Sequence, residues 1–324
     1  NSDKDCNTNY FQADYLFRAG KYQESLAKAD SMANGECKSY ERINMLYAYD
    51  YDRLGDSVKA KSYLEQFFSV SKEPQPDDYV LAAKVYAKFP GFEDTASVYL
   101  NKALELDTIK KNKIEYASTG YTIMLKANKL RQAAQWAKMK ATLSGEAKIA
   151  EYPYYQLTTA AIDAIDVSKD SVTIMQQYML ADSLSKAYIA DYPDKTQGYN
   201  SDVIAAKKAD KDTTWGLAIE PMAAANKFYE ADTAARSKKL LFLDGYYELL
   251  YYLRYAKDLP RIEEYKKAVQ LIDELLPFFP DTTSDENKYF TQTRAAIQAS
   301  IDKYEKGRQQ SSSGGTKPSG AKQK

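Results

Sequence analysis

The chain has 324 residues, more than one average core needs and enough for two domains or an array of repeats. With only 13 glycines and 10 prolines it is poor in turn formers, which disfavours turn-rich sheets and points to an all-α protein. Basic and acidic residues number 45 each, so no global field draws nucleic acid or anionic lipid; histidine is absent, which excludes catalytic triads, Cys-His dyads and histidine-ligated zinc.

The sequence opens on a polar stretch, NSDKD, with no initiator methionine. It is read as a mature end left after a leader has been removed, and no apolar run approaches the roughly 20 residues that span a bilayer. A periplasmic or otherwise exported location is therefore expected ahead of a cytoplasmic one. Cys6 and Cys37, the only cysteines, flank the first helical hairpin in polar surroundings. Two readings stay open. In an oxidising compartment they close a loop of about 32 residues and contribute roughly 3 to 4 kcal/mol; in a reducing one they are two free thiols.

Four segments, 16–32, 51–70, 86–107 and 125–143, superpose about the pivots Gly20, Gly55, Gly91 and Asn128. The pivots lie 35, 36 and 37 residues apart, and each is of the type that ends a helix in the left-handed conformation. Five residues after each pivot comes a small side chain, Ser25, Ala60, Ala96 or Ala133, where the second helix of a hairpin must approach the first. In this pattern the chain resembles the tetratricopeptide-repeat family, whose period is about 34 residues. ALELD at 103–107, Tyr-Pro-Asp at 192–194 and Phe-Pro-Asp at 279–281 resemble the family's second-helix ending. The tryptophan of the family's first helix is replaced here by tyrosine or aliphatics. The opening DCNTNYF and the segment 208–231 resemble exported tetratricopeptide proteins of Bacteroidetes.

The resemblance implies a right-handed α-solenoid of stacked hairpins. Residues 1–150 form its regular repeats, and 151–307 form divergent ones, with hairpins through 154–192, 198–235 and 238–279. The last part is a capping helix over 285–306 with an apolar stripe of Tyr289, Ala296, Ile297, Ile301 and Tyr304. The Ser/Gly/Lys-rich tail 308–324 is too poor in apolar groups to fold.

The resemblance also implies a concave groove lined by first helices, in which a protein or peptide partner lies. Carried over by register, the groove positions are Asn7, Tyr10, Phe11, Asp14, Phe17 and Arg18 in the first repeat. In the second they are Arg42, Met45, Leu46, Tyr49, Asp52 and Arg53, and in the fourth Glu115, Ser118, Thr119, Thr122, Leu125 and Lys126. Arg42, Tyr49 and Arg53 share one helix face and could hold a carboxylate between two guanidinium groups, although surface arginines are more often merely solvated. Arg18, Arg42, Tyr49, Arg53 and Lys126 are the candidate partner-binding set. The carboxylate-clamp variant of the family is not matched, because Leu46 stands where it wants asparagine.

The Tyr-rich segment 245–259 reads as a helix buried between neighbours, with Tyr246, Tyr252 and Tyr255 the residues that would otherwise reach a groove. The acid clusters Glu263/Glu264, Asp281/Asp285/Glu286 and Asp210/Asp212 read as helix-start or solubilising groups. No metal, cofactor or catalytic role is expected. The sequence thus predicts a non-catalytic adaptor that binds a protein or peptide, plausibly in an envelope assembly. Two alternatives stand beside it: a glycan or small-ligand module using the tyrosines, and an α/α-toroid carbohydrate enzyme, which 2 Trp and 13 Gly disfavour.

Overall fold

A computed structural model describes residues 2–210, 215–231, 234–255 and 262–313. Among these the chain forms fifteen α-helices, one short 3-10 turn and no strand. It divides into two compact units, Asn1–Ala160 and Ala161–Lys324.

The first unit holds α1 (Ser2–Arg18), α2 (Tyr22–Asn34), α3 (Ile43–Arg53), α4 (Ser57–Val70), α5 (Pro76–Tyr86), α6 (Glu93–Leu106), α7 (Lys110–Lys126) and α8 (Leu130–Ser144). They pack as four hairpins, α1/α2 to α7/α8. The division between the units falls inside α9 (Glu151–Asp163). All four expected pivots turn left-handed: Gly20 at φ 78°, Gly55 at 84°, Gly91 at 89° and Asn128 at 55°. At Gly20, Gly55 and Asn128 the turn closes with two crossed backbone bonds. In the first, Gly20 N donates to Phe17 O and Lys21 N to Leu16 O, both at 2.9 Å, which satisfies carbonyls that the helix end would leave orphaned.

Ser25, Ala60, Ala96 and Ala133 are each 0% exposed, as close approach of the two helices demands. Ser25 keeps its hydroxyl satisfied by donating to Ala13 O. Between hairpins, Met45, Leu64, Phe67, Leu81 and Val85 from α3, α4 and α5 make one core cluster. Each such side chain contributes roughly 1.5 to 3 kcal/mol by leaving water. The Cys6 and Cys37 sulfurs are bonded, 2.07 Å apart, and sit in the core of the first hairpin with Leu26, Met32 and Ile43. The polar surroundings in sequence gave no sign of that burial.

The second unit holds α10 (Ser171–Asp191), α11 (Thr196–Ala209), α12 (Ile219–Glu230), α13 (Ala235–Tyr255), α14 (Ile262–Leu275) and α15 (Asp285–Ser313), each packed on the next. Its core joins Met222, Tyr229, Leu249, Ile272, Leu275 and Phe290. On α15 the buried stripe is Phe290, Ile297 and Ile301 with Tyr289 and Tyr304 half-buried, whereas Ala296, expected on it, is exposed. A spacing of seven, four and three residues from Phe290 puts Ala296 off that face. The helix continues past 307 to Ser313, because Arg308, Gln309 and Gln310 are good helix formers; residues 314–324 lie outside the described residues.

α13 departs from the expectation of a helix apolar nearly all round. Its buried face carries Leu241 and Leu249 but also the acids Asp244 and Glu248, while Tyr246, Tyr251 and Tyr252 are half-buried and Tyr247 is exposed. Burial of the acids is possible because Lys207 reaches Asp244 at 2.6 Å and the Tyr252 hydroxyl donates to Glu248 at 3.2 Å. The Tyr255 side chain and Asp212 lie outside the described residues.

Candidate functional site

The site is built on α5 and α7, the first helices of the third and fourth hairpins. α5 starts firmly: Pro76 occupies its first turn, and Gln75 and Asp78 form a reciprocal capping box. Asp78 is wholly buried, accepts from Gln75 N at 2.8 Å, and receives both arms of Arg42 at 2.7 and 3.0 Å. The Arg42 guanidinium lies over the Tyr10 ring at 5.7 Å and the Phe67 ring at 5.6 Å. Burial alone would lower its pKa, but the hydrogen bonds of Asp78 and Tyr10 outweigh that and hold it above its ordinary value. Arg42 thus joins the start of α3 to the start of α5.

This corrects one part of the groove expected from register. Arg42 is committed to an acid 36 residues downstream and cannot face Arg53 as a free partner across Tyr49. Met45 and Leu46, also expected in the groove, are 0% and 2% exposed and belong to the core. Asp52 is paired with Lys88 at 2.8 Å. What gathers beside α1 and α3 is smaller. Tyr49 lies against Phe17 with ring centres 5.3 Å apart, and the Arg53 guanidinium lies 6.0 Å from the centre of the same Phe17 ring. Burial raises the Tyr49 pKa. Arg18 is exposed and held by Asp14 at 2.7 Å.

The fourth-repeat positions fare differently. Glu115, Ser118, Thr119, Thr122 and Lys126 all line one open cleft of about 680 Å³ between α7 and the far end of α5. Across from them stand Lys84, Lys88 and Pro90, and Ala87, Ile123 and Ala127 supply apolar floor. The charges divide into two kinds. Lys88 is neutralised by Asp52, and Glu93 by Lys129 at 3.5 Å. Lys84, Lys126 and Glu115 have no ion pair among the described residues. Thr119 and Thr122 donate to the carbonyls of Glu115 and Ser118, which leaves their oxygens open as acceptors. The Lys84 and Lys126 ammonium groups can take a short peptide's carbonyls and carboxylates, the threonine oxygens can accept from its backbone N–H groups, and the apolar lining can take an aliphatic side chain. The volume falls in the ordinary range for binding clefts.

Sequence reasoning missed Lys84, Lys88 and Pro90, because the third repeat was not carried into the groove. The signal was present: Arg18, Arg53 and Lys126 all stand two residues before their pivots, and Lys88 stands three before Gly91. Among the described residues no group of three or more His, Cys, Asp or Glu is placed to hold a metal ion, and no helix is long and apolar enough to cross a membrane.

No known family profile and no curated protein matches the chain. Among solved structures it is similar to the C-terminal part of a TPR repeat-containing protein from Cytophaga hutchinsonii, at 19% identity over 87% of this chain and 98% of that one, with a TM-score of 0.39. It is also similar to PilW, a widely conserved type IV pilus biogenesis factor, at 15% identity, 73% and 98% coverage and a TM-score of 0.37. The TPR2AB domain of yeast Sti1, solved with pHSP90, follows at 14% identity, 81% and 99% coverage and a TM-score of 0.32. At that distance the architecture is read from the chain's own geometry. Left-handed pivots at 35- to 37-residue steps, each followed by a wholly buried small residue, make it an all-α protein of tetratricopeptide-like helical hairpins.

Proposed function

We propose that the chain is a non-catalytic scaffold that holds a partner protein or peptide in the cleft between α5 and α7. The observation that carries this reading is the convergence of Lys84 and Lys126, both without an ion pair among the described residues, on one hydroxyl-lined cleft. Both side chains are exposed, which leaves them open to an acidic group of a partner. Arg18, Arg53 and Tyr49 remain proposed as a second set of groove contacts beside α1 and α3, without Arg42. The bond between Cys6 and Cys37 supports an exported location, since such bonds persist where the surroundings oxidise. Residues 1–150 and 151–307 remain proposed as regular and divergent repeats, and an envelope assembly as the setting.

The test is charge reversal at the cleft. Lys84→Glu with Lys126→Glu is expected to weaken capture of the natural partner from an envelope fraction about tenfold or more, as loss of complementary interfacial charge does. Undiminished capture overturns the site. A second reading, glycan binding, draws on Tyr152 and Tyr155, which are 67% and 50% exposed with rings stacked 6.5 Å apart. A rise in Tm with oligosaccharide that Tyr152→Ala abolishes would favour it.

A further inference from the structure

The second unit carries a groove of its own, of about 900 Å³, lined by Ile189 of α10, Tyr199 of α11 and one side of α12. The Tyr199 and Phe228 rings stand 5.1 Å apart at its wall. Glu220, Ala223, Ala224 and Lys227 bring α12 to the groove, and all four are exposed. Their spacing of i, i+3, i+4 and i+7 puts them on one face along two turns of the helix.

The two charges at the ends of this stripe are loosely held. The Glu220 side chain is 84% exposed, and Lys186 reaches it only at 4.0 Å while holding Asp182 at 2.9 Å. Lys227 has no ion pair among the described residues. Acid and base stand roughly 10 Å apart along the helix axis. The order acid, alanine, alanine, base is its own complement when read backwards. A second α12 laid antiparallel on the first, about a two-fold axis between Ala223 and Ala224, sets Glu220 of each copy against Lys227 of the other. The same axis gathers the four alanines at the contact, where small side chains let two helices approach closely. A parallel arrangement would set acid against acid and base against base.

We propose that this face of α12 is a self-association surface whose occupant is a second copy of the chain, docked antiparallel through α12. One patch then supplies both halves of the contact, as a two-fold dimer requires. The Tyr199 and Phe228 rings beside the stripe give up water to the second helix, which supplies the attraction, and the paired charges select the partner and its direction. The surface shares no residue with the cleft between α5 and α7.

The experiment is light scattering on the full chain over a concentration series at low salt, where the mass is expected to climb from that of one chain toward that of two. Glu220→Lys and Lys227→Glu, both at exposed positions, each set like charges face to face, and each alone is expected to weaken self-association about tenfold or more. An equimolar mixture of the two variants is expected to restore it, because the all-basic stripe of one meets the all-acidic stripe of the other; that rescue also shows that both variants fold. Glu220→Lys combined with Lys227→Glu in one chain is expected to pair with itself and not with the wild type. A single chain at every concentration, association that neither single variant weakens, a mixture no better than its components, or a double variant that fails to pair with itself overturns the proposal.

Discussion

At the scale of single residues, two ion pairs that look alike on paper differ sharply in what they hold. Arg42 and Asp78 join the starts of α3 and α5 with the acid wholly buried, whereas the Lys88 side chain, paired with Asp52, is 42% exposed. Removing Arg42 strands a buried carboxylate, so Arg42→Ala is expected to cost about 3 to 5 kcal/mol by denaturant unfolding. Lys88→Ala is expected to cost less than about 1 kcal/mol, since exposed pairs contribute little. A small loss at Arg42 would return it to the groove. Gly120 gives a second contrast. A Cβ there would lie 2.3 Å from Cδ2 of Trp136, whose indole also donates to Ser97 at 3.2 Å and so is not free to move aside. Gly120→Ala should therefore lose about 1 to 3 kcal/mol to overpacking despite a helix-propensity gain of about 1 kcal/mol. Gly307→Ala, with open space around it, should show the gain alone.

At the scale of elements, local chemistry was the legible part. The pivots and the small residues that follow them act within one hairpin, so their spacing alone placed the turns of the first four hairpins. The groove was legible only in part. A register lifted from a consensus places a residue on a face, but it does not say what stands opposite. Arg42 has the same face position whether or not an aspartate waits 36 residues on, and nothing in its own repeat announces Asp78. In the second unit the buried acids were illegible for a related reason. Glu248 sits amid tyrosines and leucines where any acid would be read as surface, and its burial depends on Tyr252 one turn along. The Tyr-rich stretch is thus a helix in which one aromatic hydroxyl, that of Tyr252, serves a buried carboxyl.

For the whole molecule, the buried acids set how stability responds to pH. Burial raises Asp50 to about 6 and Asp202 and Glu248 to about 7, each from an ordinary carboxyl value near 4. The folded chain then binds protons that the unfolded chain has already lost. The stability these three groups contribute is lost as the pH rises from about 5 through about 7 and levels off above, whereas carboxylates held low by their partners, such as Asp107 and Asp273, add stability with rising pH only below about pH 5. Thermal unfolding across this range should show Tm declining, and Asp202→Asn should flatten part of that decline and raise Tm at about pH 8. A Tm that climbs over the same interval would mean these carboxyls are not buried as described.

Polar ties one period apart recur through the first unit: Arg42 to Asp78, Lys88 to Asp52, Lys129 to Glu93 and Tyr121 to Gln156. The second, third and fourth hairpins are thereby secured each to the next, and such chains open by fraying from an end. The disulfide changes which end. Cys6 lies in α1, while Cys37 follows α2 just ahead of α3, so the bond clasps the terminal hairpin shut. Backbone amides of α1 and α2 should consequently exchange with heavy water far more slowly in oxidised than in reduced protein, by the hundredfold or so that about 3 kcal/mol implies. The staple makes unzipping directional: a chain pulled on by a partner yields elsewhere before it yields at its first hairpin.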